Sequence, residues 1–280
     1  MNVLDSPAKT YPFWLLLVSA GILVAERLFA WRKQQPFLRP QLRQDVFWLL
    51  FNGWVSAYTF GVLFIGIESG LSNGYRAITG SASTSIRFIG SQPLAIQIPV
   101  YLIVGDFVEY LVHNLLHRVP ILWRIHRVHH SITTMDWIGN FRFHWGETII
   151  YKTFKYLPLA LLGADWRVIL STAVIATTIG HLNHANLNIS WGPLRYILNS
   201  PRMHIWHHEK DVRGRAGVNF AVVFSFWDWI FGTAYMPKKH PQAPVMIGFH
   251  GQERVPESLA MRFFLPFVDR KKEEKALQPM

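Results

Sequence analysis

Residues 93–130 read PLAIQIPVYLIVGDFVEYLVHNLLHRVPILWRIHRVHH, and the fold turns on them. Residues 93–112 are long and apolar enough to cross a bilayer core about 30 Å thick as a helix, although they carry Asp106 and Glu109. An ionisable side chain inside a span costs about 2.5–3.5 kcal/mol on insertion scales, so Asp106 is not expected to face lipid. Asp106, Tyr110, His113 and His117 stand at i, i+4, i+7 and i+11, one stripe of one helix. Pro120 ends that helix, and Trp123 marks an interface position. The H-x-x-H-H at 126–130 is expected to open a short helix just inside the membrane surface.

Outward from this stretch, residues 13–30 (FWLLLVSAGILVAERLFA) and 46–68 (VFWLLFNGWVSAYTFGVLFIGIE) read as two earlier spans. The first is not expected to be a cleavable signal, because no small-residue cleavage site precedes a polar mature start. Residues 148–163 and 166–186 read as a hairpin of two short apolar helices, parted by Gly163, Ala164 and Asp165. Composition agrees: of 280 residues 50% are hydrophobic and only 16% charged, against about 25% charged in an ordinary soluble domain. The expected fold class is therefore all-α, an integral membrane helical bundle of about three full spans plus the apolar hairpin, with a histidine-rich cytoplasmic cap. Its expected parts are residues 1–92 (N-terminal spans and loops), 93–235 (histidine-box catalytic domain with the third span and hairpin) and 236–280 (basic C-terminal tail, partly disordered).

The net charge of +11 fits either a nucleic-acid footprint or basic loops at an anionic membrane face, and the apolar spans select the second, with no nucleic-acid partner. Arg32, Lys33, Arg39 and Arg43 follow the first span, only Arg76 and Arg87 lie between the second and third, and Arg118, Arg124, Arg127 and Arg142 follow the third. By the positive-inside rule the N-terminus lies outside and everything beyond residue 113 lies on the cytoplasmic side.

Eleven of the 13 histidines fall between 113 and 208, where even spreading would place about 4.5. His113 and His117 are four apart; His126, His129 and His130 form H-x-x-H-H; His181 and His184 are three apart; His204, His207 and His208 repeat H-x-x-H-H. Spacings of three and four place imidazoles on one helix face, as multidentate metal binding requires. Ser200, or failing that Asn199, can cap a new helix with Pro201 in its first turn, which brings the last group to the same inner depth as the others. Ten grouped imidazoles exceed a tetrahedral zinc site and a haem's one or two axial ligands, and suit two metal ions of about five protein ligands each. Imidazole serves Zn, Cu, Fe and Ni alike; a ligand-rich centre against lipid favours iron and O2 chemistry. With no Cys, disulfides, Cys-ligated zinc, iron–sulfur clusters and thiolate-ligated haem are excluded. The boxes carry no Glu placed as in H-E-x-x-H. Asp106 is expected to accept an N–H from a ligand histidine, and Asp228 to orient a ligand or an Arg. Other classes use such clusters too: a membrane metal transporter, expected to gather them near mid-bilayer in broken helices, or a b-type haem protein.

HNLLH at 113–117, HRVHH at 126–130, HLNH at 181–184 and HIWHH at 204–208 resemble the fatty acid hydroxylase / sterol desaturase superfamily. LWRIHRVHHS at 122–131, NSPRMHIWHH at 199–208 and FWDWIFGT at 226–233 carry the resemblance on, so that it spans about residues 100–235. It implies an integral membrane enzyme with two non-haem iron ions that uses O2 as co-substrate to hydroxylate, desaturate or cleave a lipid such as a fatty acyl chain or sterol. It implies His113, His117, His126, His129, His130, His181, His184, His204, His207 and His208 as metal ligands. His144, in FRFHWGE, is a neighbour of the boxes, expected beside the ligands or facing substrate, and Trp145 stands where the pattern often has Pro. No attached haem-binding or flavin domain is expected, and electrons are expected from an external cytochrome b5- or ferredoxin-type reductase system. Trp137, Phe141, Phe143 and Trp145 are expected to line the lipid's path, Phe226–Trp229 to close the cap, and His240 and His250 to be surface residues.

Overall fold

The computed structural model describes residues 10–80, 90–161, 164–211, 214, 216–237, 243, 244 and 246–265. Among these the regular structure is all helical, with only two isolated bridges, Ala30–Leu187 and Glu209–Ile247. Three helical stretches are long and apolar enough to cross a membrane: Tyr11–Leu28, Leu42–Leu63 and Leu94–Arg118. Leu16, Leu17, Leu28, Val62 and Leu63 lie exposed along the first two, as side chains that meet lipid rather than water would. The protein is an all-α membrane bundle.

Helix α1 (Tyr11–Leu28) starts with Pro12 in its first turn, where a missing N–H costs nothing. Helix α2 (Leu42–Leu50) continues through a π turn, Phe51–Val55, into α3 (Ser56–Thr79). The second span is thus longer than its hydropathy indicates, and residues 69–79 of the loop expected at 69–92 are helix. Helix α4 (Leu94–Arg118) ends where Val119 turns extended before Pro120, and Pro120 then opens α5 (Pro120–His130). The H-x-x-H-H at 126–130 therefore closes this helix instead of opening one. Helix α6 (Trp145–Leu161) and α7 (Trp166–His184) form the apolar hairpin, with Asp165 accepting the Arg167 N–H at 2.8 Å as the second helix's cap. Ser200 caps α8 (Pro201–His204) as the sequence suggests, taking the Met203 N–H at 3.2 Å.

Helix α4 is the axis. It packs on α5, α6 and α7, while α1 packs on α7 and α3 on α6. The short 3-10 turn Trp137–Phe141 lies against α7 closely enough that a Cβ on Gly180 would meet the Asn140 side chain at 2.8 Å. The π turn serves the same region. Its Asn52 donates to the carbonyls of Phe141 and Phe143 at 3.0 and 2.9 Å and accepts from Thr148 at 3.1 Å.

Two features hold the end of the bundle that carries the second histidine box. Trp48, Val128, Phe249, Val255 and Leu265 form one buried apolar cluster, with Trp48 stacked on Phe263 at 6.1 Å. The C-terminal stretch through helix α9 (Leu259–Phe263) thus belongs to the core, which a Pro- and charge-rich reading of 236–280 does not suggest. His240 and the charge run 269–280 lie outside the described residues. The second feature is a buried ionic network. Arg39 binds Asp136 and Asp45, each at 2.6 Å, and Arg142 binds Asp45 through both carboxylate oxygens. Arg142 and Arg262 also reach Ser131, the residue after the second histidine box.

Removing one partner of such a pair strands a buried charge, at a cost of about 3–5 kcal/mol. Arg142→Met is expected to lower the thermal midpoint in detergent well below that of the parent; an unchanged midpoint would show the network to be dispensable.

Candidate metal centre

Ten of the eleven clustered histidines are at most 5% exposed, and His117 is half-buried. They resolve into two groups. His113, His117, His126, His130 and His207 offer ring nitrogens within 4.8 Å of one another, and so do His129, His184, His204 and His208. The groups touch: the rings of His130 and His208 stack at 4.5 Å, and those of His126 and His129 at 5.4 Å.

Helical spacing explains the sorting. Every i, i+4 pair (113/117, 126/130, 204/208) stays within one group, and every i, i+3 pair (126/129, 204/207, 181/184) is divided. Steps of 100° per residue place i+4 at +40° and i+3 at −60° from the first side chain, so the two spacings aim at different points. Each H-x-x-H-H thus gives its outer pair to one group and its middle member to the other.

The same rule removes His181. It stands three residues before His184 and points away, its Nε2 at 3.0 Å from Ser19 Oγ and its Nδ1 at 3.0 Å from Asn140 Nδ2. With both nitrogens engaged it has no lone pair to offer, and it ties α1 and the 3-10 turn to α7.

The nine remaining rings fit a metal by their unsatisfied atoms. Nε2 of His126 lies 3.0 Å from Nε2 of His117 and 3.1 Å from Nε2 of His130, while Nε2 of His184 lies 3.3 Å from those of His129 and His204. Nε2 of His113, His207 and His208 is buried without a partner. Lone pairs aimed at one another in a buried space are costly unless a cation lies between them.

Outer nitrogens fix this orientation. His113 Nδ1 donates to the Phe220 carbonyl at 2.6 Å, His207 Nδ1 to Val218 at 2.8 Å and His184 Nδ1 to Gly180 at 2.9 Å. Such outer bonds hold the tautomer and raise ligand basicity. His126 Nδ1 instead donates to the carboxylate of Glu147 at 2.8 Å. Glu147 is fully buried, and the sequence reading missed it. Its one signal was a carboxylate three residues after His144, at the head of an apolar stretch.

Two of these carbonyls, those of Val218 and Phe220, belong to residues 218–224, a segment outside any helix or strand whose backbone is largely satisfied by side chains. Asp228 takes the N–H groups of Phe220 and Ala221 at 2.8 and 3.0 Å, and Asp106 takes those of Val223 and Phe224 at 2.8 and 2.9 Å. Asp106 also accepts from the Trp227 indole at 3.2 Å. Asp106 therefore touches no histidine, contrary to expectation; it fastens the segment that does, because the segment's unpaired amides need an acceptor more than the rings do. Tyr110 holds Thr233 at 3.0 Å, and Thr233 donates to Asp228 at 2.7 Å. Tyr110 and Asp228 thus act on the same segment, and burial pushes the Asp228 carboxyl up to about 6 despite its donors. Asn183 and Asn199 donate to the carbonyls of Val222 and Ala221, and Asn219, within the segment, donates to the Met203 carbonyl and accepts from the Tyr235 N–H.

The other expected residues separate. His144 is not in either group: it meets the Phe263 carbonyl at 2.9 Å, and Trp145 donates to the same oxygen at 2.8 Å. Phe143 stacks on His129 at 4.7 Å. Trp137 and Phe141 pack on His181 instead, at 5.4 and 5.3 Å. His250 is exposed and pairs with Asp211 at 2.8 Å. A small cavity opens on the first group between His117, His130, His207, Trp123 and Phe249.

Residues 98–233 match the fatty acid hydroxylase family. Curated relatives include an ornithine lipid hydroxylase of Rhizobium tropici, 35% identical over 147 residues, which are 52% of this chain and 44% of that protein. A methylsterol monooxygenase of Arabidopsis thaliana is 28% identical over 49% of this chain and 46% of its own length. The alkylglycerol monooxygenase of Homo sapiens is 33% identical over 46% of this chain and 28% of its own length. The chain thus spans about half the length, or less, of these relatives. No solved structure matches it.

Two expectations follow. His207→Ala or His208→Ala is expected to lower the metal bound per chain, whereas His181→Ala keeps the parent's metal content and loses about 1–3 kcal/mol of stability from its stranded partners; elemental analysis and thermal unfolding separate the two. Burial and neighbouring rings hold His126, His129, His130, His204, His207 and His208 well below their ordinary 6.5. The unfolded chain therefore takes up protons that the folded one refuses, so stability and metal retention should fall as pH drops below about 6.5. A flat profile from pH 7 to 5 would contradict this.

Proposed function

We propose, from the match of residues 98–233 to the fatty acid hydroxylase family, that this chain is a membrane-embedded, non-haem di-iron oxygenase acting on a lipid. In the hydroxylating reaction one oxygen atom of O2 enters a C–H bond and the other leaves as water, with two protons and two electrons from an external donor of cytochrome b5 or ferredoxin type. The observation that carries this reading is the convergence of nine imidazoles into two touching groups.

A pair of iron ions, when bound, supplies the redox chemistry that couples O2 reduction to oxidation of an unactivated C–H bond. His113, His117, His126, His130 and His207 would hold one ion, and His129, His184, His204 and His208 the other. Phe220, Val218 and Gly180 keep the ring nitrogens of His113, His207 and His184 aimed inward through their carbonyls. Asp106 and Asp228 keep the 218–224 segment in place. Phe143, stacked on His129 beside the hairpin, is the best placed of the four aromatics to meet an apolar chain and exclude water. The relatives' names specify ornithine lipids, methylsterols and alkylglycerols, all lipids, which supports a lipid substrate and leaves its head group open. The Lys and Arg distribution supports an outside N-terminus and histidine boxes on the cytoplasmic face.

Cells expressing the chain under 18O2 are expected to accumulate a lipid heavier by one labelled oxygen, and the purified protein to show no Soret band. Alanine at His126, His129, His207 or His208 should abolish the product while the chain still inserts in membranes. A Soret band, or half the activity retained in any of the four variants, would contradict the reading.

A further inference from the structure

The two histidine groups are not equivalent. In the first, three rings have assigned outer acceptors, two of them carbonyls and one the carboxylate of Glu147, and His117 has a further one in the backbone of Ala216. In the second only His184 has one, while the Nδ1 atoms of His129, His204 and His208 are buried without partners. The first group also has five rings against four.

Glu147 sharpens the difference. It is completely buried, one oxygen bonded to His126 and the other without a partner. Other buried carboxylates have a cation beside them: Glu109 has Lys155, Asp45 and Asp136 share Arg39, and Asp45 also has Arg142. A carboxylate with one neutral donor is expensive to bury. A cation on the far nitrogen of the same imidazole supplies the missing charge through the ring.

Resting on the two-metal reading above, we infer that Glu147 is a positioning residue that makes the five-histidine group the tighter metal site, filled first, with the four-histidine group the weaker one. Glu147→Gln keeps the size of the side chain and an oxygen that can accept from His126 Nδ1, so what it removes is the charge. Outer-shell changes of this kind typically cost 10- to 100-fold in metal affinity.

The test is titration of the metal-stripped full-length protein in detergent with Co(II) alone, followed by its visible absorption. The parent is expected to bind two Co(II) per chain in two resolved steps. Glu147→Gln should weaken the first step about tenfold or more and leave the second in place. His117→Ala, which damages only the first group, assigns the affected step. Glu147→Asp, which restores the charge, should recover part of the affinity, and it also serves if Glu147→Gln does not fold. Equal weakening of both steps would mark Glu147 as merely structural, and unchanged steps would remove its role; either overturns this inference alone. A parent that binds no Co(II) overturns the two-metal reading with it.

Discussion

Nine imidazoles share one buried volume with their lone pairs facing inward, and the structure is organised around making that arrangement tolerable. Neutral rings with unsatisfied nitrogens belong in water unless something occupies the space between them. Several are held by donation from the opposite nitrogen, which sets the tautomer. For His113 and His207 that donation ends on the 218–224 segment, which has no sheet partner and whose own amides are tied to Asp106 and Asp228. The carboxylates of the third span and of the cap thus serve the metal centre at one remove, by fixing carbonyls.

This explains why charged residues sit so deep in an apolar bundle. Asp106 in α4 has three donors, and Lys155 in α6 is paired with Glu109 across the seam between the two helices. The Arg39–Asp45–Arg142–Asp136 network does similar work beneath the second box, binding the start of the second span to the turn that carries Asn140 and Phe141. Fully paired buried charges set geometry more than they add stability. Fixed geometry is what a metal centre at the end of four packed helices needs.

Much of this was legible in the sequence, for definite reasons. Apolar length alone located the spans, and the i, i+4 recurrence of His113/His117, His126/His130 and His204/His208 located the centre. What it did not convey was the difference between spacings of three and four, which excludes His181 and divides each H-x-x-H-H between the two groups. Asp106 and Asp228 were the right residues with the wrong partners, since nothing local indicates that an unpaired backbone segment will compete for them. Glu147 escaped notice because it stands at the edge of an apolar run, and its meaning comes only from α6 packing near α5. Phe249, Val255 and Leu265 stand among prolines and charges that point to a tail; Trp48, some two hundred residues earlier in the chain, makes them core.

The proposed function stands or falls with a pair of ions ligated by imidazole nitrogen. Iron K-edge X-ray absorption on the purified, iron-loaded protein tests it most directly. The expected spectrum shows a shell of nitrogen scatterers with the outer-shell pattern of several imidazoles on each iron and no sulfur. A porphyrin signature, or iron surrounded mainly by solvent oxygen, would contradict it.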